Sequence, residues 1–364
     1  MSRKLQSDKI LFGVVVGLVL FGLLMVYSAS AELGAEGKHH DAYYFIIRQL
    51  ASAVIGLAGM ALLMNLDYRR LRNPLLIFPA VGLQLLLLIV ALLSPALHNA
   101  HRWVHLQSFS LEPSEISKLV LVLFLAYFLD LRKNHVNDLA HTVAPLGLLV
   151  GLTVALILKQ PDFGTALAIL FVVLAMLFTA GTRLSYFGLP VLAALPLFYF
   201  FVYRVSWRWS RIEVFLDPTL DPLGKGYQPL QAKIAVATGG ITGVGLMEGR
   251  EKLFWLPDGH SDYIFGVISE ELGFVGAVLV LVLFAVILWR GLRATSRCPD
   301  NFGRLLAMGF TALIVGQALV NMSVVLSLLP AKGLPLPLVS CGGTALVIDL
   351  LAVGILLNVS QHAT

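Results

Sequence analysis

Asp262, Glu270 and Glu271 are the acidic side chains of this sequence that are best placed to take part in proton transfer. Asp262 follows His260 and comes immediately before an apolar stretch that contains the two adjacent glutamates. A buried carboxylate can act as a general base, because burial raises its pKa towards neutral pH. A helix is predicted to begin at about Ser261, so the helix dipole alone could also account for the aspartate. The two glutamates would lie well inside that helix, where adjacent acids are costly unless partners surround them or they carry protons.

A second group of charged residues surrounds the start of another predicted helix. Arg102 and Trp103 come shortly before Pro113, which is a favourable first residue for a helix. Glu115 and Lys118 are three positions apart, so they share a helix face and can form an ion pair. One interpretation is a pair that neutralises itself near the membrane interface, and spacing alone favours it. The alternative is a phosphate site in which Glu115 holds Lys118 in place and Arg102 supplies a second cation.

Two further polar breaks separate apolar stretches. Gln160 and Asp162 lie in a short break, where a tight turn with the acid at a helix start is the simpler explanation. Residues 321–344 are rich in proline and glycine, and they include Ser340 and Gly342. Irregular backbone at a membrane edge is tolerated only against protein or a wet cavity, so this stretch is predicted to lie against one of them.

The elements that must position these residues are predicted to be membrane-spanning helices. Hydrophobic residues make up 58% of the 364 residues and charged residues 13%, whereas a soluble domain has about half and about a quarter. The apolar runs are long and lack the alternation of barrel strands, so helices are the remaining way to satisfy their backbone in lipid. About ten spans of roughly twenty residues are predicted: 10–28, 43–65, 74–97, 113–130, 142–158, 164–180, 186–203, 263–289, 303–329 and 338–359.

Positive charge is concentrated on alternate connections between these spans, which predicts the sidedness of the chain. The basic residues within 3–9, 69–72, 132–133 and 290–304, and Arg183, would face the cytoplasm, together with both termini. The long segment 204–261 would then be a periplasmic loop between the seventh and eighth spans. Loops of such length are usually functional, although a loop that merely covers the bundle fits this composition equally well.

Several classes of function are excluded by the same sequence. The net charge of +5 comes from basic residues scattered between apolar runs, so no nucleic-acid-binding face is predicted. The sequence contains no Walker loop, GxSxG elbow, HExxH motif or cysteine metal box. Its two cysteines, Cys298 and Cys341, would lie on opposite sides of the membrane, so no disulfide between them is expected.

Short blocks of polar and small residues follow one another along essentially the whole chain. They are Tyr27–Ser30, Arg102–Trp103, Pro113–Lys118, Gln160–Thr165, His260–Phe265 with Glu270–Gly273, and Gly333–Pro337 with Ser340 and Gly342–Gly343. In this order they resemble the SEDS family of polytopic cell-wall polymerases, named for shape, elongation, division and sporulation. The chain departs from the family pattern at Ser261, Ser327, Ala331, Cys341 and Asp349.

The resemblance implies a single all-α transmembrane domain over 1–364 that polymerises lipid II, a disaccharide-pentapeptide on undecaprenyl diphosphate. It assigns catalysis to Asp262, which matches the family's acid. It also implies binding or supporting roles for Arg102, Trp103, Glu115, Lys118, Gln160, Asp162, His260, Glu270, Glu271, Ser340 and Gly342. A divalent cation such as Mg²⁺ or Mn²⁺ would suit a diphosphate substrate, although the sequence shows no dedicated metal site.

The resemblance also implies a place of action and partners. Residues 249–257 and 328–333 are more similar to the division branch of the family than to its elongation branch, which predicts activity in the bacterial cytoplasmic membrane at the septum. Because the chain has no transpeptidase motif, a class B penicillin-binding protein is the expected partner, together with other divisome proteins. The alternatives are an elongation polymerase, a non-catalytic divisome scaffold, or a lipid II flippase whose path Glu270, Glu271 and Asp349 would line.

Overall fold

The computed structural model describes the chain apart from residues 1–6, 37–39, 96–100, 107–108, 184, 189–198, 200–202, 218–219, 254, 332 and 364. Its helices are α1 (Lys9–Glu36), α2 (Tyr44–Asn65), α3 (Pro74–Leu93), α4 (Pro113–Leu131), α5 (Ala144–Lys159), α6 (Phe163–Ala180), α7 (Ser206–Leu216), α8 (Tyr227–Gly239), α9 (Ile264–Glu271), α10 (Gly273–Arg297), α11 (Asn301–Val325) and α12 (Gly343–His362). A π-helical turn, Leu139–Val143, leads into α5. Between α3 and α4, a small hairpin pairs β1 (Val104–Leu106) with β2 (Phe109–Leu111) in antiparallel register.

Eight helices in the described part of the chain are long and apolar enough to cross a membrane: α1, α2, α3, α5 with its leading turn, α6, α10, α11 and α12. The predicted span at 113–130 is also a helix, α4, although it carries Glu115, Lys118 and Asp130. The predicted span at 186–203 lies largely outside the described residues. The prediction of an all-helical polytopic membrane fold is confirmed.

The predicted span over 263–289 is not one helix. It is broken at Leu272 into the short helix α9 and the long helix α10. Two predictions about this region are therefore wrong. The helix begins at Ile264, so Asp262 lies in the preceding turn and not in the first helical turn. The two glutamates end a helix of eight residues and do not lie inside a long one.

Backbone contacts with residues 239–252, which we call the glycine-rich segment, explain the break. The N–H groups of Val244 and Gly245 donate to the carbonyls of Glu270 and Glu271, each at 3.0 Å. The chain then turns through Gly273, whose φ of +64° is a conformation that side chains with a β-carbon rarely adopt. A hydropathy pattern cannot reveal such a contact, because it depends on backbone from a distant part of the sequence.

The segment 204–261 is more ordered than the predicted loop. It contains α7 and α8, and α8 packs against α9. Its last residues form the turn that carries Asp262. The segment is therefore part of the scaffold of that turn, which disfavours the interpretation of a loop that merely covers the bundle.

Several connections meet at the same end of the bundle, because successive spans run in opposite directions. Nε2 of Gln49, near the start of α2, donates to the Ser340 carbonyl before α12 at 2.9 Å. Ser340 Oγ donates to the Ser261 carbonyl at 2.6 Å, and Arg102 Nε donates to the Gln160 carbonyl at 3.1 Å. The blocks that contain Arg102, Gln160 and Ser340 are thus brought together around the turn before α9.

The predicted sidedness can be tested by thiol labelling in a variant that lacks Cys298 and Cys341. A cysteine introduced at Leu223, which is exposed in the long segment, should react with an impermeant maleimide in intact cells. A cysteine at Ser296, exposed near the opposite end of the bundle, should react only after the membrane is permeabilised. Labelling of Ser296→Cys in intact cells would overturn the topology.

Candidate active site

Asp262 lies in a tight turn that joins the long segment to α9. Within this turn, the N–H groups of Ser261 and Tyr263 donate to the carbonyl of Asp258 at 3.0 and 3.2 Å. From α11, Asn321 Nδ2 donates to the carbonyl of Asp262 at 2.7 Å. The backbone that carries the Asp262 carboxyl group is therefore held both from within the turn and from a central helix.

The Asp262 carboxyl group faces Arg102 across the backbone of Gly333. A β-carbon built on Gly333 would lie 2.9 Å from Asp262 Oδ2 and 3.9 Å from Arg102 Nη1. The other nitrogens of Arg102 anchor it, since Nε donates to the Gln160 carbonyl at 3.1 Å and Nη2 donates to the Pro161 carbonyl. The Asp262 carboxyl group and the Arg102 guanidinium group thus both lie close to Gly333, which has no side chain to separate them.

The surroundings of Asp262 suit a general base. Burial raises the pKa of Asp262 to about 7, and the negative charges of Asp258 and Asp162 act in the same direction. The positive charge of Arg102 opposes them. A general base works best when its pKa is close to the ambient pH. Burial lowers the pKa of the neighbouring His260, which favours a neutral imidazole at this site.

Glu112 is a second acid near this site, and it was not among the predicted site residues. It directly precedes α4 and accepts a hydrogen bond from Ser114 Oγ at 3.2 Å. Burial raises its pKa, the charges of Glu115 and Asp162 raise it further, and Arg102 lowers it. Glu112 is therefore the alternative base that any test of Asp262 must include.

Amide side chains from α11 hold the irregular segment that contains Gly333. Gln317 Nε2 donates to the Pro335 carbonyl at 3.0 Å. Asn321 Nδ2, which also holds the Asp262 turn, donates to the Leu334 carbonyl at 2.6 Å. The two sides of the site are therefore tied to the same helix.

Ser340 joins this segment to the Asp262 turn. Its hydroxyl group accepts a hydrogen bond from the Leu336 N–H at 2.7 Å and donates to the Ser261 carbonyl at 2.6 Å. Gln49 in α2 also holds this segment. Its side chain donates to the Ser340 carbonyl at 2.9 Å and accepts from the Gly342 N–H at 3.2 Å. Ser340 and Gly342 thus contribute to the backbone frame around Asp262.

Glu115 and Lys118 form the predicted ion pair, but they lie between helices and not at the surface. Lys118 Nζ is 2.8 Å from Glu115 Oε2 and donates to Gln317 Oε1 at 2.7 Å. The Lys118 side chain is 0% exposed, so its ammonium group is not accessible to a phosphate in this structure. The pair instead supports Gln317, which in turn holds Pro335.

Comparison with known proteins shows the family to which this chain belongs. The sequence model of the FtsW, RodA and SpoVE family, described as "Cell cycle protein", matches residues 8–364. The chain belongs to this family. Its membership confirms the SEDS resemblance that the motifs indicated.

Individual relatives are similar over their whole length. The chain is 42% identical to a Geobacter metallireducens protein named "Probable peptidoglycan glycosyltransferase FtsW", covering 98% of this chain and 95% of the relative. It is 38% identical to Stage V sporulation protein E of Bacillus subtilis, covering 100% and 99% of the two chains. A solved structure described as "Structural coordination of polymerization and crosslinking by a peptidoglycan synthase complex" has a TM-score of 0.81 at 31% identity, covering 98% of both chains.

In this member of the FtsW, RodA and SpoVE family, the polar break before α6 is the tight turn that was predicted. Asp162 Oδ1 accepts a hydrogen bond from the Thr165 N–H at 3.1 Å, which caps α6. Gln160 Nε2 donates to the Leu88 carbonyl in α3 at 2.9 Å, and its own carbonyl anchors Arg102. Gln160 is therefore the residue that fixes the position of Arg102 relative to α3.

Among the other predicted site residues, His260 and Trp103 lie next to the parts of the chain that form the site, whereas Glu270 and Glu271 do not. The His260 ring packs against Phe45, with ring centroids 4.9 Å apart, and the His260 carbonyl accepts the Cys341 N–H at 3.0 Å. Trp103 follows Arg102 directly before β1. Glu270 and Glu271 are at the opposite end of α9, where they contact a different part of the protein.

No three histidine, cysteine, aspartate or glutamate side chains within the described residues form a group that could hold a metal ion. Mg²⁺ is commonly bound by one or two carboxylates together with substrate phosphates. The residues around Asp262 would fit a cation only in that shared arrangement. A divalent cation therefore remains a prediction for this family member.

Three residues that hold the site, Gln49, Gln317 and Asn321, were not among the predicted site residues. Each is a buried amide within an apolar helix. Polar side chains inside membrane spans are costly and usually have a specific partner. Their presence in otherwise apolar runs was the signal, but the sequence alone does not show which backbone groups they contact.

Lys118→Met should strongly destabilise the protein, because it leaves the Glu115 carboxylate buried without its cation. Removal of one partner from a buried ion pair costs about 3–5 kcal/mol. The double variant Glu115→Gln/Lys118→Met should recover much of that loss, since it does not leave the Glu115 carboxylate unpaired. Thermal unfolding in detergent measures both effects, with the exposed Lys159→Met as the control. Equal unfolding temperatures for Lys118→Met and the wild type would contradict the buried pair.

Proposed function

We propose that this chain is a peptidoglycan glycosyltransferase that joins lipid II units into glycan strands at the outer face of the cytoplasmic membrane. The observation that carries the proposal is the juxtaposition of Asp262, with its pKa raised to about 7, and the anchored guanidinium group of Arg102. The site lies at one end of an apolar helix bundle, where the lipid tail and the polar head of such a substrate would each find a suitable medium. The full-length similarity to a relative named as a peptidoglycan glycosyltransferase supports this activity.

The proposed reaction forms one glycosidic bond and breaks one bond to phosphate. The 4-hydroxyl oxygen of one lipid II sugar attacks the anomeric carbon of a second sugar, while Asp262 takes the hydroxyl proton. Undecaprenyl diphosphate leaves with the electron pair of the broken C–O bond. Hydrolysis of an ordinary glycoside needs a second carboxylic acid to protonate a poor leaving group. A diphosphate is already a good leaving group, so one base and one cation can suffice.

Arg102 is suited to the diphosphate. Its guanidinium group is planar and permanently charged, with donors in fixed directions. The bonds from Nε and Nη2 to the Gln160 and Pro161 carbonyls fix its plane and leave Nη1 on the side of Gly333 and Asp262. A cation that is already oriented stabilises developing negative charge without reorganisation.

The division role and the partner are parts of the same proposal. The similarity to the FtsW-named relative supports septal synthesis, and a chain of a peptidoglycan synthase complex shares the fold over 98% of its length. A polymerase without a transpeptidase motif needs a crosslinking partner, for which a class B penicillin-binding protein is suited. Other divisome proteins, and cytoplasmic positions for both termini, complete the proposed setting.

The structure gives less support to a lipid II flippase. The acids that would line its path are buried: Asp349 is 1% exposed, and Glu270 and Glu271 are equally inaccessible. Backbone N–H groups within residues 247–251 donate hydrogen bonds to both glutamate carboxylates. A non-catalytic scaffold would not require the approach of Asp262 to Arg102.

Asp262→Asn should abolish glycan synthesis from lipid II by the purified protein. The asparagine keeps the size of the side chain but cannot accept the hydroxyl proton. The product can be measured by gel analysis of glycan strands, with Asp217→Asn in the same long segment as the matched control. Full activity of Asp262→Asn would remove this residue from the mechanism, and loss of activity only in Glu112→Gln would transfer the role of base to Glu112.

Thermal unfolding should show that Asp262→Asn is folded. Because the pKa of Asp262 is about 7 in the folded protein against 3.8 ordinarily, ionisation of this residue costs stability as pH rises from about 4 to about 7. Asp262→Asn should therefore unfold at a higher temperature than the wild type at pH 8. At pH 4 the two proteins should unfold at similar temperatures.

The rate of glycan synthesis at saturating lipid II should rise with pH and reach half of its maximum near pH 7. The reason is that only the deprotonated form of Asp262, whose pKa is about 7, can act as the base. Below that pH, the rate should fall about tenfold per pH unit. A rate that stays maximal down to pH 5 would contradict a base with this pKa.

Depletion of the protein in its host should produce long filaments without septa, because septal glycan would no longer be made. Phase-contrast microscopy and the position of a fluorescent fusion protein measure the two parts of this prediction. Complementation by Asp262→Asn serves as the control and should fail. Rounded cells that still form normal septa would assign the chain to elongation.

A further inference from the structure

Glu271 is the centre of a buried polar cluster at the end of α9 that is remote from Asp262. Its carboxylate accepts hydrogen bonds from Ser28 Oγ at 2.6 and 2.9 Å, from Lys252 Nζ at 2.6 Å and from the Met247 N–H at 3.0 Å. Lys252 Nζ also donates to Ser28 Oγ at 2.9 Å. One carboxylate therefore joins α1, the glycine-rich segment and α9.

The adjacent Glu270 is satisfied in a different way. Its carboxylate accepts the backbone N–H of Arg250 at 2.7 Å and that of Glu251 at 3.2 Å. One of the two neighbouring acids is thus partnered by an ammonium group and the other by backbone donors. We name Ser28, Lys252, Glu270 and Glu271 the carboxylate clamp.

The glycine-rich segment approaches α9 this closely because glycine occupies two of the points of contact, Gly243 and Gly249. A β-carbon on Gly249 would lie 3.0 Å from both Glu270 Oε2 and Glu271 Cγ. A β-carbon on Gly243 would overlap with the Glu271 carbonyl. The contact is therefore between backbone and carboxylates at close range, which leaves little room for independent movement of the segment and the helix.

The helix α9 connects the clamp to Asp262 as one stiff element. All eight residues of Ile264–Glu271 are buried, and at about 1.5 Å per residue the helix is roughly 12 Å long. The turn that carries Asp262 continues directly from its N-terminal end. Arg102 and Gly333 belong to other connections, so a shift of α9 changes the distance of the Asp262 carboxyl group from both of them.

We propose that the carboxylate clamp positions Asp262 by fixing α9 at its opposite end. Lys252, Glu270 and Glu271 are positioning residues, since they act through the helix and not on the sugar or the diphosphate. The inference rests on the proposed function, because it assigns these residues a role in the same reaction. It also gives the glycine-rich segment a function, which is to carry Lys252 and the backbone donors to the end of α9.

Substitutions in the clamp test this role. Lys252→Met leaves the Glu271 carboxylate without its cation, and Glu271→Gln leaves the Lys252 ammonium group without its acid. Each variant should reduce glycan synthesis at pH 8 by about tenfold or more, because small misplacements of a catalytic group have effects of this size. The exposed residues Lys233 and Glu248 provide matched controls, and Lys233→Met and Glu248→Gln should match the wild type.

The pH profile separates positioning from a merely structural role. A smaller amount of folded enzyme lowers the maximal rate and leaves the half-maximal pH unchanged. Burial is the main reason for the raised pKa of Asp262, so a displaced and more hydrated Asp262 should have a lower pKa, and the half-maximal pH should move below about 7. A greater distance from Arg102, which faces Asp262 from the connection before β1, would raise the pKa, but this effect is smaller than that of burial.

The double variant Lys252→Met/Glu271→Gln guards against misfolding of the single variants, since it leaves neither charge unpaired. It should unfold at a higher temperature than either single variant and still show the lower rate and the downward shift of the half-maximal pH. A wild-type rate in the double variant would overturn the proposal. A reduced rate with an unshifted half-maximal pH would overturn it as well.

A second readout does not depend on catalysis. Carbodiimides modify protonated carboxyl groups, so mass spectrometry of labelled Asp262 across pH reports its titration directly. The clamp variants should move the labelling midpoint to lower pH, and an unmoved midpoint would overturn the proposal. If the wild type makes no glycan while the midpoint moves in the variants, the proposed function fails and the clamp remains.

Discussion

The backbone at the edge of a membrane needs a partner for each of its polar groups, and this requirement governs the structure around Asp262. The described residues of the segment between α11 and α12 form neither helix nor strand, so side chains must satisfy many of the backbone groups that a regular element would pair. Gln49, Gln317, Asn321 and Ser340 meet that need. Asn321 and Ser340 also bind the carbonyls of the Asp262 turn. The frame of the site is thus built largely from side chains that carry no charge.

Two buried ionic groups reinforce this frame from different directions. Lys118 and Glu115 lie beneath the segment that contains Gly333 and act on it through Gln317. Lys252 and Glu271 lie at the far end of α9 and act on the other side of the site. In each pair the lysine ammonium group binds buried groups of the protein itself. Among the described residues, the guanidinium group of Arg102 is the cation placed beside the Asp262 carboxyl group.

Much of this arrangement was predictable from the sequence, and the remainder depends on distant contacts. Long apolar runs predict the spans, because the thickness of the bilayer fixes their length. The blocks around Arg102 and Asp262 predict the site through their resemblance to a family. The break at Leu272 was not predictable, because the backbone of the glycine-rich segment imposes it. The amide contacts were hidden for the same reason: Gln49 and Ser340 are 291 positions apart.

The close contact of the glycine-rich segment with α9 has a consequence for sequence variation. Connecting segments outside a bundle usually tolerate substitution and insertion well. Here the Glu271 carbonyl occupies the space that a methyl group on Gly243 would need. Even alanine, the smallest chiral replacement, would push the segment away from the helix. At these contacts an outward connection therefore carries the evolutionary constraint of a protein interior, and random mutagenesis should recover few neutral changes at Gly243 and Gly249.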